Sequence, residues 1–200
     1  MTSTGADLTP DAQAERARLM DAALKVMRVN GFQAASVQDI LDEAGLSTRA
    51  FYRQFRSKDD LLLAMFRTAS SRDVEAVAAQ VGKAGSPLEG VLAWVDEMLA
   101  IAFDRRRLSR MVMFNQVARQ MAGFDEEVGY MRDALSRPLG AALRAGAEDG
   151  SFPRAEPPED SRTLFDLLWS VAGPSRQLDR ENARQHLLRF CLPALGVPAD

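Results

Sequence analysis

Apolar residues along this chain recur at spacings of three and four, in blocks separated by glycine, proline and hydroxyl residues. That is the periodicity of one face of an α-helix, and no strand signal competes with it. The first block, Leu19, Ala22, Ala23, Val26 and Met27, follows Thr9-Pro10-Asp11 and stops at Gly31. A hydroxyl N-cap, a proline at the first helical position and an acid in the first turn are the residues a helix start requires. Ser36-Val37-Gln38-Asp39 then opens a short helix carrying Val37, Ile40, Leu41 and Ala44, which Gly45 ends. Ser47 caps a third helix with Ala50, Phe51 and Phe55 inward, and Ser57-Lys58-Asp59-Asp60 caps a fourth before Leu61, Leu62, Met65 and Phe66.

The fourth helix is expected to continue through Val74, Val77, Ala78 and Val81 to a break at Gly82-Lys83-Ala84-Gly85. Ser86-Pro87-Leu88-Glu89 starts another, with Val91, Trp94, Val95, Met98, Leu99 and Ala102 as its stripe. Between Leu108 and Ala122 apolar residues cover most of the circumference, which predicts a helix buried on several sides. A further helix is expected over Asp125 to Glu148, with Pro138 kinking it or removing one hydrogen bond, and Gly150 ending it. After the proline-containing loop from Phe152 to Pro158, two more are expected, around Leu164 to Ala172 and Ala183 to Leu195. The pattern is all-α, about nine helices. An N-terminal helix-turn-helix domain over residues 9–66 is expected to precede a larger helical domain over 67–200, the two sharing the long fourth helix. Residues 1–8, with little to bury, are expected to form an arm.

Charge changes this picture locally rather than globally. The 200 residues hold 25 Lys+Arg and 28 Asp+Glu, a net of −3. Between Leu46 and Lys58, however, every charged residue is basic: Arg49, Arg53, Arg56 and Lys58. Ala44-Gly45-Leu46-Ser47 joins the second and third helices as the tight turn of a helix-turn-helix. The second helix of such a motif lies in the DNA major groove with its N-terminal residues at the base edges, so Thr48 and Arg49 are candidates for reading bases. Arg49 can engage guanine O6 and N7 bidentately. Ser36, Ser47, Tyr52 and Lys58 suit contacts to phosphate, and Arg53 belongs to the same basic cluster. The plain alternative is that the serines are only caps and the arginines only solvated.

Composition excludes several classes. One cysteine, Cys191, precludes an intramolecular disulfide, and with a single histidine, His186, it leaves no ligand set for structural zinc. No apolar run reaches the length of a membrane span, and the polar N-terminus is unlike a secretory signal, so a cytoplasmic setting with no membrane partner is expected. Nucleophile–base pairs have only His186 to draw on, in a segment that reads as a packed helix. Glu126 and Glu127 are adjacent and diverge on a helix, so they cannot act as paired catalytic carboxylates. No enzyme and no cofactor are expected. Asp104-Arg105-Arg106-Arg107 reads as a solvated loop, and Cys191 as a core thiol.

Gly31-Phe32, Ser36-Val37-Gln38-Asp39-Ile40, Ala44-Gly45-Leu46-Ser47, Phe51-Tyr52, Phe55 and Ser57-Lys58-Asp59-Asp60-Leu61 together resemble the signature of TetR/AcrR-type regulators. The match covers about residues 14–66, with Phe51 where leucine is commoner. The resemblance implies a homodimeric repressor on a palindromic DNA operator, with a small-molecule effector pocket in the larger domain and the last two helices as the dimer interface. The broad apolar surfaces of those two helices fit that role, or simple core packing. Pocket candidates are Trp94, Met98, Phe103, Met111, Phe114, Asn115, Arg119, Met121, Phe124, Met131 and Trp169. Asn115 and Arg119 lie one turn apart on an apolar segment and would orient a ligand's polar end, unless they meet water or an acid such as Asp96. A ligand favouring a wider spacing of the reading heads would release the DNA. The competing reading is a helical ligand-binding or scaffolding protein whose N-terminal helices bind protein.

Overall fold

The computed structural model describes residues 9–31, 34–105, 107, 124–173 and 177–198. Eight helices and no strand occur among them: α1 Pro10–Asn30, α2 Val37–Ala44, α3 Thr48–Gln54, α4 Lys58–Val81, α5 Pro87–Phe103, α6 Phe124–Asp149, α7 Pro157–Ala172 and α8 Arg180–Leu195. The all-α expectation holds. The helix expected over Leu108 to Ala122 lies outside the described residues.

Capping chemistry sets most of the starts. Thr9 Oγ1 accepts the Ala12 N–H at 3.4 Å with Pro10 at the first helical position. Ser36 and Asp39 form a reciprocal capping box at α2, and Ser47 Oγ accepts the Ala50 N–H of α3 at 3.2 Å. At α4 and α5 the acid reaches one residue further back than an ordinary box. Asp60 accepts the Arg56 N–H at 2.9 Å and Glu89 the Gly85 N–H at 2.8 Å, while Ser57 and Ser86 cap the chain ahead of them. Each device satisfies backbone donors that the first helical turn leaves without a partner.

The described residues divide into two compact units, one up to Thr68 and one from Ala69 onward, with α4 beginning in the first and ending in the second. In the first unit α1 packs on α2 and α3, and α2 on α3. Leu19, Ala23, Met27, Ile40, Leu41, Phe51, Phe55, Leu61 and Leu62 are buried there. Gly45 takes the left-handed conformation (φ 61°, ψ 41°) that turns the chain from α2 toward α3. A side chain at that position would be strained. Arg18 donates to the Ala44 carbonyl at 2.7 Å, satisfying an acceptor that the end of α2 leaves open.

The second unit is built around α6, which packs on α5 and α7, with α8 against α7 and α5. Its core includes Val91, Trp94, Met98, Leu99, Leu139, Leu143, Phe165, Leu168, Leu187 and Leu195. α6 runs on through Pro138 as one helix, and three residues earlier the Leu135 carbonyl accepts the Trp94 indole N–H at 2.8 Å. Asp96 of α5 accepts from Arg184 of α8 at 2.5 and 3.2 Å. Arg132 of α6 pairs with Asp166 of α7 at 2.8 Å.

Gly146 of α6 accommodates the ring of Phe152, itself 1% exposed: a Cβ at 146 would lie 2.0 Å from a ring carbon. Propensity and packing therefore oppose each other at this position. Alanine in a helix interior gains about 1 kcal/mol over glycine, whereas displacing a well-packed ring costs about 1–3 kcal/mol. Gly146→Ala is expected to lower the urea midpoint of the full chain; a raised midpoint would show that Phe152 yields freely.

Candidate nucleic-acid interface

α3 has two faces set by its own spacing. Ala50 and Phe51 are buried, and Gln54 is half-buried, so Thr48, Arg49, Tyr52 and Arg53 are left on the solvent side. Arg49 and Arg53 are four residues apart and thus stacked one turn above the other. Tyr52 is 58% exposed, and its ring meets the buried Phe51 ring edge-on at 5.3 Å, which directs the phenol outward from a fixed base. Arg49 has no hydrogen-bond or ion-pair partner among the described residues, and neither does the Arg56 guanidinium. Both are exposed.

The other expected contacts are more engaged. The Ser36 hydroxyl accepts the Asp39 N–H at 3.1 Å and donates to the Asp39 carboxylate at 2.7 Å, so both its donor and an acceptor serve the cap. Ser47 uses an acceptor for its cap and keeps its proton. Lys58 Nζ donates to the Ala35 carbonyl at 3.0 Å, fastening the segment before α2 to the start of α4. Arg53 is held by Glu15 of α1. The run from Leu46 to Lys58 contains no acid, yet the fold brings one to it from thirty-eight positions away. Nothing in local spacing signals Glu15. Arg56 belongs to the same basic cluster, and its side chain is exposed.

α3 is also tied to α1 from below. Arg16 donates to the Gln54 carbonyl at 3.0 Å, Gln54 Nε2 donates to the Ala12 carbonyl at 3.1 Å, and the Arg16 guanidinium lies over the Phe55 ring at 4.3 Å. These contacts fix the C-terminal end of a two-turn helix.

The candidate effector residues fare differently. Met111, Phe114, Asn115, Arg119 and Met121 lie outside the described residues, as does the side chain of Phe124. Trp94 and Met98 are 1% and 0% exposed, packed as core, with the indole N–H already bonded. Phe103, Met131 and Trp169 are half-buried against the same core. Asp96 is taken by Arg184. A groove of about 640 Å³ opens elsewhere in the second unit, bounded by the end of α4, the 82–86 turn, the start of α5 and the middle of α6. Its walls are small and apolar, among them Val74, Ala78, Val81, Ala141 and Ala145, and Arg137 is the one charged residue lining it among the described residues. None of the expected pocket residues that are described lines it.

Residues 19–65 match the sequence family described as bacterial regulatory proteins, tetR family. They form a TetR-family domain. The match coincides with the helix-turn-helix and its supporting helices, so the exposed face of α3 is that of a TetR-family DNA-binding motif. A fatty acid metabolism regulator protein of Bacillus subtilis is 29% identical over 58 residues, which is 29% of this chain and 30% of that one. The chain therefore aligns with less than a third of that curated relative. The likeness in fold extends well beyond the matched residues. A TetR transcription regulator from Haloarcula marismortui superposes with a TM-score of 0.77 at 21% identity, covering 90% of this chain and 97% of that one. FadR from Bacillus subtilis, solved with stearoyl-CoA, superposes with a TM-score of 0.67 at 15% identity, covering 89% and 98%. TetR-family proteins are regulators and not enzymes. No group of three or more metal-ligating side chains occurs among the described residues, and no described helix is long and apolar enough to cross a membrane.

The α2 capping box titrates. The Asp39 carboxyl accepts from the backbone and hydroxyl of Ser36, and these bonds hold its pKa below the ordinary value. A carboxyl depressed in the folded state stabilises fully above its unfolded pKa and loses that contribution as pH falls through the folded one. Asp39→Asn should be less stable than the parent chain at pH 7, with the gap closing as acid titrates the parent. Equal midpoints at neutral pH would remove the capping box from the account.

Proposed function

We propose that this chain is a ligand-responsive DNA-binding transcriptional regulator: a homodimeric repressor that holds a palindromic operator and is released by a small apolar or amphipathic effector. The observation that carries the reading is the solvent face of α3, where Thr48, Arg49, Tyr52 and Arg53 stand exposed on a helix fixed from behind by α1. Residues 9–66 are the DNA-reading domain in this view, and 67–200 bind effector and partner subunit. Arg49 reads bases. Ser47, Tyr52, Arg53, Arg56 and Lys58 position the phosphate backbone, with Ser36 supporting chiefly through its cap.

The dimer interface is assigned to α7 and α8. Phe190 is 56% exposed, and Leu167, Val171 and Leu188 are only partly covered, an apolar remainder beyond what this chain's own core uses. Cys191 on α8 is buried, and desolvation, aided by the Asp160 carboxylate, pushes its thiol up to about 12, so it serves packing rather than redox chemistry. A two-fold dimer places two copies of α3 in successive major grooves, about 34–36 Å apart. An effector releases DNA only if it binds the other spacing better. For the effector itself, the stearoyl-CoA held by FadR and the fatty acid role of the curated relative favour an acyl compound. The groove beside Arg137, apolar with one cationic side chain, has the lining such a molecule needs.

Selection from a random duplex library, followed by affinity measurements across salt, tests the proposal. An enriched palindrome and a steep salt slope are expected. Arg49→Ala should relax preference at one position of each half-site, costing about 1–3 kcal/mol there, while Arg56→Ala should weaken all sequences alike. Long-chain acyl-CoA added to the complex should release the operator. No enrichment together with a flat salt response would instead turn the search to protein partners of the N-terminal helices.

A further inference from the structure

Resting on the DNA-binding reading of α3, we infer that Glu15 is an intramolecular competitor for the phosphate backbone: by holding Arg53 it restrains affinity for DNA of arbitrary sequence. Arg53 stands one turn beyond Arg49 on the exposed face of α3, and its side chain is 52% exposed. Glu15 comes from the second turn of α1, and its own side chain is 29% exposed. The Arg53 guanidinium, as hydrogen-bond donor and as cation, holds the Glu15 carboxyl below its usual range, so the carboxylate stays charged at neutral pH. Arg53 thus has two anionic partners open to it, the carboxylate in the free protein and a phosphate in a complex.

The pair is not needed to join the helices. Arg16 on the Gln54 carbonyl, Gln54 on the Ala12 carbonyl and Arg16 over Phe55 already fasten α3 to α1 without it. An exposed ion pair also adds little to stability. What Glu15 does place at this edge is a negative charge where a phosphate would approach. Engaging DNA through Arg53 requires the guanidinium to leave that carboxylate, which reduces the gain from the contact and the cation release that accompanies it. Arg49 carries no such restraint among the described residues. The division of labour follows: base reading by Arg49 is unopposed, while the sequence-independent contribution of Arg53 is held back, which lowers affinity for every sequence and weakens the hold on random DNA.

The test is a cycle of Glu15→Gln, Arg53→Gln and the double variant, each in the full chain. Binding to one duplex of arbitrary sequence is followed over several salt concentrations, with thermal melting as the control for folding. Glu15→Gln should bind up to about fivefold tighter, the range set by exposed ion pairs. Its slope of log affinity against log salt should steepen by about 0.9, the increment for one more neutralised phosphate. In the Arg53→Gln background the same change should have little effect. Unchanged or weaker binding by Glu15→Gln would overturn the competition, and weaker binding would mean that Glu15 aims Arg53 at the DNA. Equal tightening with and without Arg53 would overturn it too, leaving only a general charge effect. If the parent chain binds with no salt slope at all, the DNA-binding reading fails first and the inference falls with it; a normal parent slope with no effect of Glu15→Gln sinks the inference alone.

Discussion

A seven-residue helix cannot hold itself together, and the reading face of this protein depends on one. Two turns yield too few internal hydrogen bonds to offset the cost of nucleation, so α3 exists only as far as its surroundings impose it. Ser47 secures its first turn, burial of Phe51 and Phe55 secures the inner face, and Arg16 takes up the Gln54 carbonyl at its end. Every one of these reaches to or from another element except the cap. The direction in which Arg49 and Tyr52 point is consequently a property of the α1–α3 contact more than of α3.

The second unit solves a different problem with the opposite means. Its helices are long, and what decides their approach is the size of the residues between them. Gly90 of α5 would bring a Cβ to 3.0 Å from the Ala142 Cβ of α6, and Gly146 leaves the space that Phe152 fills. Gly90 marks a close approach of α5 to α6 and Gly146 a seat for the segment after α6, and the large side chains Trp94, Met98, Leu139 and Leu143 are fully buried in the same unit. Gly90 and Ala142 also line the groove, together with Ala141 and Ala145, so it opens directly beside their contact. Packing and vacancy come from one distribution of glycine and alanine.

These two regimes explain what could be read from the sequence. Caps are local, joining residues three or four apart, so Thr9, Ser36, Ser47, Ser57 and Ser86 announced five helix starts that the structure contains. The apolar spacing likewise placed Phe51, Leu61 and Leu139 inside. Contacts between distant segments carry no such mark. The Lys58 bond to the Ala35 carbonyl and the Glu15 pair with Arg53 depend on how α1, α2 and α4 come together, and each alters what a basic side chain is free to do. The groove escaped notice for a further reason. Methionines and aromatics suggest pocket walls in a sequence, but large side chains fill space, and a cavity forms where alanine and glycine fail to. Trp94 and Met98 are core for the same physical cause that made them conspicuous.

Charge placement at the α3 edge bears on how such a chain tells an operator from the rest of a genome. A protein with net charge −3 has little diffuse attraction to DNA, so binding must come from a small focused patch. Within that patch every cation that contacts phosphate raises affinity for all sequences by the same factor, which leaves their ratio unchanged and strengthens the hold on random DNA. The ratio between sequences is set by base-reading cations, which act best unencumbered, while phosphate-directed ones already satisfied within the protein keep the hold on random DNA weak. On the proposed reading of α3, Arg49 without a partner among the described residues, beside Arg53 on Glu15 and Lys58 on the Ala35 carbonyl, is that arrangement in three side chains. A helix-turn-helix with four unrestrained cations would bind every sequence more tightly and select no better.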